Sequence, residues 1–152
     1  MSNYATLVDV LIKNEMEGIK NHERVLEMGD TPAILINECG FPELPFAIKA
    51  STVSKICFDH GIRTSVIQRL PNIVSSPKGL FRSANPRFTD SVVVLTFEVK
   101  SIGPVIVSIR KNVMIGRGKY YNIVTSMYAK EGEDPETKWK SDNLLIWDSQ
   151  NT

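Results

Sequence analysis

The sequence predicts an α+β domain, with N-terminal helices packed on one face of a roughly four-stranded antiparallel sheet. Two observations carry this expectation. Apolar residues recur at helical spacing up to about residue 78, and the period then shifts to that of strands. The strands that follow are separated by short turns, which favours an antiparallel meander over crossover connections.

Residues 3–28 read as helix: Leu7, Val10, Leu11, Ile19, Val25 and Leu26 recur between charges, with Gly18 as a dividing point. Thr31 and Pro32 suit the start of a short helix from Ala33 to Cys39 that Gly40 ends. Phe41-Pro42-Glu43-Leu44-Pro45 is extended, because each proline pushes its predecessor out of the α region. Residues 46–49 are a short strand or an extended entry to a helix over residues 51–60, with Ser51 as N-cap and Gly61 as stop. Thr64 caps the next helix, which runs to Leu70, and another turn of helix covers residues 72–76. Strands are expected over residues 80–83, 91–99, 105–110 and 120–128, the second being β-branched almost throughout. Residues 131–136 read as a polar loop, 137–140 as a turn of helix and 144–147 as a final strand or packed tail.

The chain has 152 residues, 42% apolar and 23% charged, enough for one domain with a sizeable core. Its apolar runs are far too short for a membrane span, and the N-terminus lacks a basic region followed by an apolar one. No membrane partner and a cytoplasmic start are therefore expected. Cys39 and Cys57 sit in apolar company and read as buried thiols. Charge is unevenly spread: residues 1–48 carry three Lys/Arg and eight Asp/Glu, net −5. Residues 49–130 carry thirteen and three, net +10, and residues 131–152 carry two and six, net −4. A basic middle between acidic ends suits a face that binds a polyanion, and equally charges scattered over all faces.

Phosphate loops, dinucleotide fingerprints, zinc-protease motifs and nucleophile elbows are all missing from the sequence. With two His and few clustered acids, metal catalysis is not expected. Two stretches remain. In residues 51–60, Val53, Ile56 and Cys57 share an apolar helix face. Lys55 and His60 lie about 140° apart around an α-helical axis, so they meet in one cleft only if the helix end turns inward. A surface His at a helix end is the plainer reading. In residues 120–130, strand alternation puts Tyr120, Asn122, Val124, Ser126, Tyr128 and Lys130 on one face. That face is either a solvated surface or a cleft floor, with Tyr for a base and Lys for a phosphate.

The order Lys55…His60-Gly61, Leu70-Pro71, Pro77…Phe81-Arg82-Ser83, Asp90-Ser91 with an apolar strand, Asn122…Ser126-x-Tyr128-x-Lys130 and Asn143-Leu-Leu resembles the phage MuF C-terminal domain family. The resemblance spans about residues 42–148. Arg82 stands where the family's pattern often has Lys, which keeps the basic character. The resemblance implies a predicted toxin nuclease with the barnase/EndoU/colicin/RelE-like fold. It divides the chain into an N-terminal helical segment, 1–40, and a nuclease domain, 41–152. It also implies metal-independent cleavage of cellular RNA without a cofactor. A cognate antitoxin or immunity protein would be a partner, and a phage particle or secretion system a route of delivery.

Such a reaction needs a base for the ribose 2′-hydroxyl, an acid for the leaving 5′-oxygen and cations for the phosphorane. His60, Lys55, Ser126 and Lys130 are the candidate catalytic residues, and Arg82, Ser83, Asn122 and Tyr128 the candidate substrate-binding residues. The alternative is a non-catalytic RNA-binding or protein-interaction domain of phage or mobile-element origin.

Overall fold

The computed structural model describes residues 3–132 and 134–151, so Glu133 of the expected polar loop lies outside the described residues. In chain order the elements are α1 (Tyr4–Met16), β1 (Val25–Asp30), α2 (Ala33–Cys39), β2 (Pro45–Lys49), α3 (Ala50–Ser54), a π-helical turn (Lys55–Asp59), α4 (Thr64–Gln68), α5 (Leu70–Ser75), β3 (Gly79–Arg82), β4 (Ser91–Lys100), β5 (Gly103–Met114), β6 (Tyr120–Ala129), α6 (Pro135–Ser141) and β7 (Leu145–Asp148).

The sheet corrects the expected fold. It has seven strands, not four, in the order β1-β2-β6-β5-β4-β3-β7. It is mixed, because β2 runs parallel to β6 while the remaining neighbours are antiparallel. Nor do all helices share one face. Helices α1 to α5 contribute Tyr4, Val8, Leu35, Val53, Ile67 and Leu70 to the main core, where Leu26, Ile48, Leu80, Val94, Val107 and Val124 meet them from the sheet. On the opposite face, Trp139 of α6 packs against Phe81, Leu95 and Ile106, with its ring edge-on to Phe81 at 5.1 Å.

The surplus strands have local causes. Residues 25–30 were expected to continue the first helix, but that helix ends at Met16, and Gly18 takes a left-handed conformation with φ +85. Beyond it Leu26 and Met28 are buried and Glu27 is exposed, a period of two that a few residues cannot separate from helical spacing. Strand β2 is buried at Phe46, Ala47 and Ile48 in succession, as an interior strand is. The meander from β3 to β6 forms as expected, and Gly116 and Gly118, both at positive φ, turn the chain between β5 and β6. Among the described residues, no helix is long and apolar enough to cross a membrane.

Candidate functional site

The cleft forms where two parallel neighbours part. Pairing of β2 with β6 runs from Phe46↔Asn122 to Ile48↔Val124 and stops. The β2 chain then enters α3 at Ala50, while β6 continues to Ala129 with only β5 beside it among the described strands. Helix α3 and the π-helical turn flank the open edge of β6. Between them lies a cleft of about 430 Å³ lined by Ser51, Thr52, Lys55, Ile56, His60, Thr125, Ser126 and Tyr128.

Two irregularities aim side chains into it. The first is the π-helical turn: the amide of His60 donates to the carbonyl of Lys55, five residues back, at 3.1 Å. Widening the helix by one residue brings position i+5 back towards the side of position i. The offset expected for an α-helix is thereby reduced, and Lys55 and His60 both line the cleft. Gly61, with φ +64, then ends the turn. The second is a bulge in β6. Ser108 of β5 pairs with Ser126 and Ile109 with Val124, so Thr125 is an extra residue. It is exposed, and its Oγ1 donates to the Ser108 carbonyl at 3.2 Å.

The bulge reverses the alternation expected along this strand. Upstream, Val124 faces the main core; downstream, Met127 and Ala129 do. Ser126 and Tyr128 are left on the other side, half-buried and at the cleft. The rings of Tyr128 and His60 stand 5.7 Å apart at 38°.

Behind the cleft, Ser54 anchors α3 to α1. Its Oγ donates to Glu15 Oε1 at 2.5 Å, and His22 Nε2 meets the same oxygen at 3.0 Å. The Glu15 side chain is only 10% exposed, and burial alone would raise its pKa. The hydrogen bonds from Ser54 and His22 and the charges of His22 and Lys20 outweigh that and hold the carboxyl below its ordinary range. Burial pushes the Cys39 thiol up to about 11 and raises Cys57 as well, so both favour the protonated, unreactive form.

Of the eight residues expected at a site, Lys55, His60, Ser126 and Tyr128 meet in this cleft. The other four lie elsewhere. Lys130 follows β6 and is bound through its amide to the Pro104 carbonyl at 2.8 Å. Arg82 lines a separate cavity with Glu38, Asp90 and Lys111. Ser83 accepts from the Asn85 amide at 3.2 Å within a turn. Asn122 is 0% exposed: its Nδ2 donates to Thr31 Oγ1 at 2.8 Å and the Pro42 carbonyl at 2.9 Å, and its Oδ1 accepts from the Asn112 amide at 3.1 Å. Sequence reasoning passed over Ser51, Thr52 and Thr125 as cleft residues. Ser51 and Thr52 precede Lys55 by four and three residues, a spacing that shares a helix face. Thr125 had no such signal, because a bulge is fixed by the partner strand.

The cleft is lined by Lys55, His60, Ile56 and hydroxyl-bearing side chains and by no carboxylate. Among the described residues, no three His, Cys, Asp or Glu side chains are grouped to hold a metal ion. The phage MuF C-terminal domain matches residues 54–151, most of the chain and most of these cleft residues. The chain belongs to the phage MuF C-terminal domain family. No curated protein and no solved structure matches it.

Proposed function

We propose that this MuF C-terminal domain protein is a toxin-like, metal-independent endoribonuclease acting on cellular RNA. The observation that carries the reading is the convergence of His60, Lys55, Ser126 and Tyr128 in one cleft free of carboxylates. Imidazole is the side chain best suited to proton transfer near neutral pH. His60 takes the proton of the ribose 2′-hydroxyl as its oxygen attacks the adjacent phosphorus. The P–O5′ bond breaks as the 5′-oxygen takes a proton from a water, and protonated His60 returns its proton to the solvent, leaving a 2′,3′-cyclic phosphate and a 5′-hydroxyl. The Lys55 ammonium offsets the charge that grows on the phosphorane, and the Ser126 hydroxyl donates to one of its non-bridging oxygens. Tyr128 offers a face on which a base stacks. Asn122, whose polar atoms are occupied by structural partners, has no part in this scheme, and Arg82, Ser83 and Lys130 lie outside the cleft. A cognate antitoxin or immunity protein that covers the cleft would protect the producing cell, and phage ancestry fits delivery with a particle or secretion system.

The test is incubation of the purified protein with total cellular RNA in EDTA, beside His60→Ala. Discrete fragments ending in 2′,3′-cyclic phosphate, lost in the variant, are the expected result. Salt-sensitive RNA binding without cleavage by either protein would replace the nuclease reading with that of a non-catalytic binder.

A further inference from the structure

A cavity larger than the His60 cleft is lined by the residues just past Gly61. It holds about 550 Å³, the size of a small-molecule site, between α4 and the end of β4. Arg63, Arg69 and Lys100 stand at it, with Glu98 as its one carboxylate. Glu98 is already engaged by Arg69 at 2.8 Å. Arg63 is exposed and makes no ion pair among the described residues. Val66 and Val99 add apolar surface. The cavity thus combines an apolar wall with a surplus of cations, the pairing that a base and a phosphate require.

Its wall is built by an irregularity. Between the pairs Leu95↔Ile106 and Val99↔Pro104, β4 has three residues where β5 has one. Thr96 fixes this arch: its Oγ1 donates to the Val105 carbonyl at 2.7 Å and accepts from the Glu98 amide at 3.1 Å. The arch carries Glu98 to Arg69 and leaves Lys100 beside the Gly61 loop, where its Nζ donates to the Gly61 carbonyl.

The two cavities draw on one short stretch of chain. His60 lines the first, and Ile62 and Arg63 line the second, with exposed Gly61 as the divide. From the Cα of His60 to that of Arg63 the chain can span at most about 11 Å. We propose that the Arg63/Lys100 cavity is a second subsite, which holds an RNA nucleotide beyond the two joined by the cleaved bond. It rests on the ribonuclease reading of the His60 cleft and names how that site takes a longer strand. Arg63 contacts the phosphate of the extra nucleotide, Lys100 holds the Gly61 divide in place, and the valines meet its base.

Cleavage of a dinucleotide and of a single-stranded octaribonucleotide by the parent, Arg63→Gln and Arg117→Gln tests the proposal. Arg117 lies in the exposed turn after β5 and controls for bulk charge. Arg63→Gln is expected to raise KM for the octamer about ten-fold relative to its effect on the dinucleotide, with Arg117→Gln near the parent. In a His60→Ala background, Arg63→Gln should lower the log–log salt slope of octamer binding by about 0.7, the loss of one single-strand phosphate contact. Equal effects of Arg63→Gln on both substrates, or equal effects of the two arginine variants on the octamer, would overturn the subsite while leaving the ribonuclease intact. Binding without any cleavage would remove the ribonuclease reading, and the salt slope alone would then decide for or against the subsite. A parent that neither cleaves nor binds the octamer sinks both.

Discussion

The rings of His60 and Tyr128, one from a π-helical turn and the other from a bulged strand, stand 5.7 Å apart. Neither would reach the other on regular elements. Without the widened turn, His60 points away from Lys55; without the extra residue at Thr125, Tyr128 joins the opposite face of the sheet. Such local departures from regular geometry are common where side chains must be re-aimed.

This contact separates two roles for Tyr128. If its ring seats a base, Tyr128→Phe keeps RNA cleavage near the parent level, and Tyr128→Ala loses about ten-fold or more. A loss of 100-fold or more in Tyr128→Phe would instead assign its hydroxyl to proton transfer, the range expected of a general acid or base. Because Tyr128 also packs beside Ile106, unfolding curves for both variants accompany the rate measurements.

Glu15 makes the stability of the fold depend on acid. Its folded pKa lies below the unfolded value of about 4.3. Its contribution is therefore fully present above that value and is lost as pH falls through the folded pKa. Urea midpoints of the parent should fall between about pH 5 and pH 3 more steeply than those of Glu15→Gln, and the two curves should converge below. At pH 7 the variant is expected to be about 1 kcal/mol less stable. Identical profiles would mean that the charge contributes nothing to folding.

How much of this could be read in the sequence followed the range of the signal. Strands β3 to β6 and the Ala33–Cys39 helix with its Gly40 end were legible because period and turn residues are local. Strand β1 was not, since Val25, Leu26 and Met28 fit either period over so short a run. The parallel pairing of Ile48 with Val124 was hidden for another reason, as nothing near either residue specifies a partner so far along the chain. In the cleft, residue types were legible and directions were not. Lys55, His60, Ser126 and Tyr128 converge through one π-helical turn and one bulge, neither of which has a period of its own.

Asn122 ties three connections to the sheet. It holds Thr31 before α2, Pro42 before β2 and the backbone of Asn112, which sits at φ +56. Asn122→Ala leaves two acceptors and one donor without it at a fully buried position. The expected cost is about 2–4 kcal/mol, read as a lower denaturant midpoint at unchanged slope. A cost below about 1 kcal/mol would show that water or a local shift replaces these bonds.

Of the glycines, Gly103 leaves the least room for a side chain. It opens β5 opposite Lys100 with φ +150, and an added Cβ would overlap the carbonyl oxygen of Lys130. Backbone cannot swing aside as a side chain does, so Gly103→Ala must part β5 from the end of β6, where the Lys130 amide bonds to Pro104. Gly40 is the matched comparison: it has φ +68 and nothing within 4 Å of an added Cβ. Gly40→Ala thus carries only conformational strain, about 1 kcal/mol. Gly103→Ala is expected to cost about three times as much in denaturant unfolding, since overlap adds to strain. It should also weaken octamer binding, because Lys100 and the Gly61 divide it holds move with the same turn. Equal costs for the two alanine variants would mean that the Lys130 carbonyl yields freely, and that this turn does not set the geometry of the second cavity.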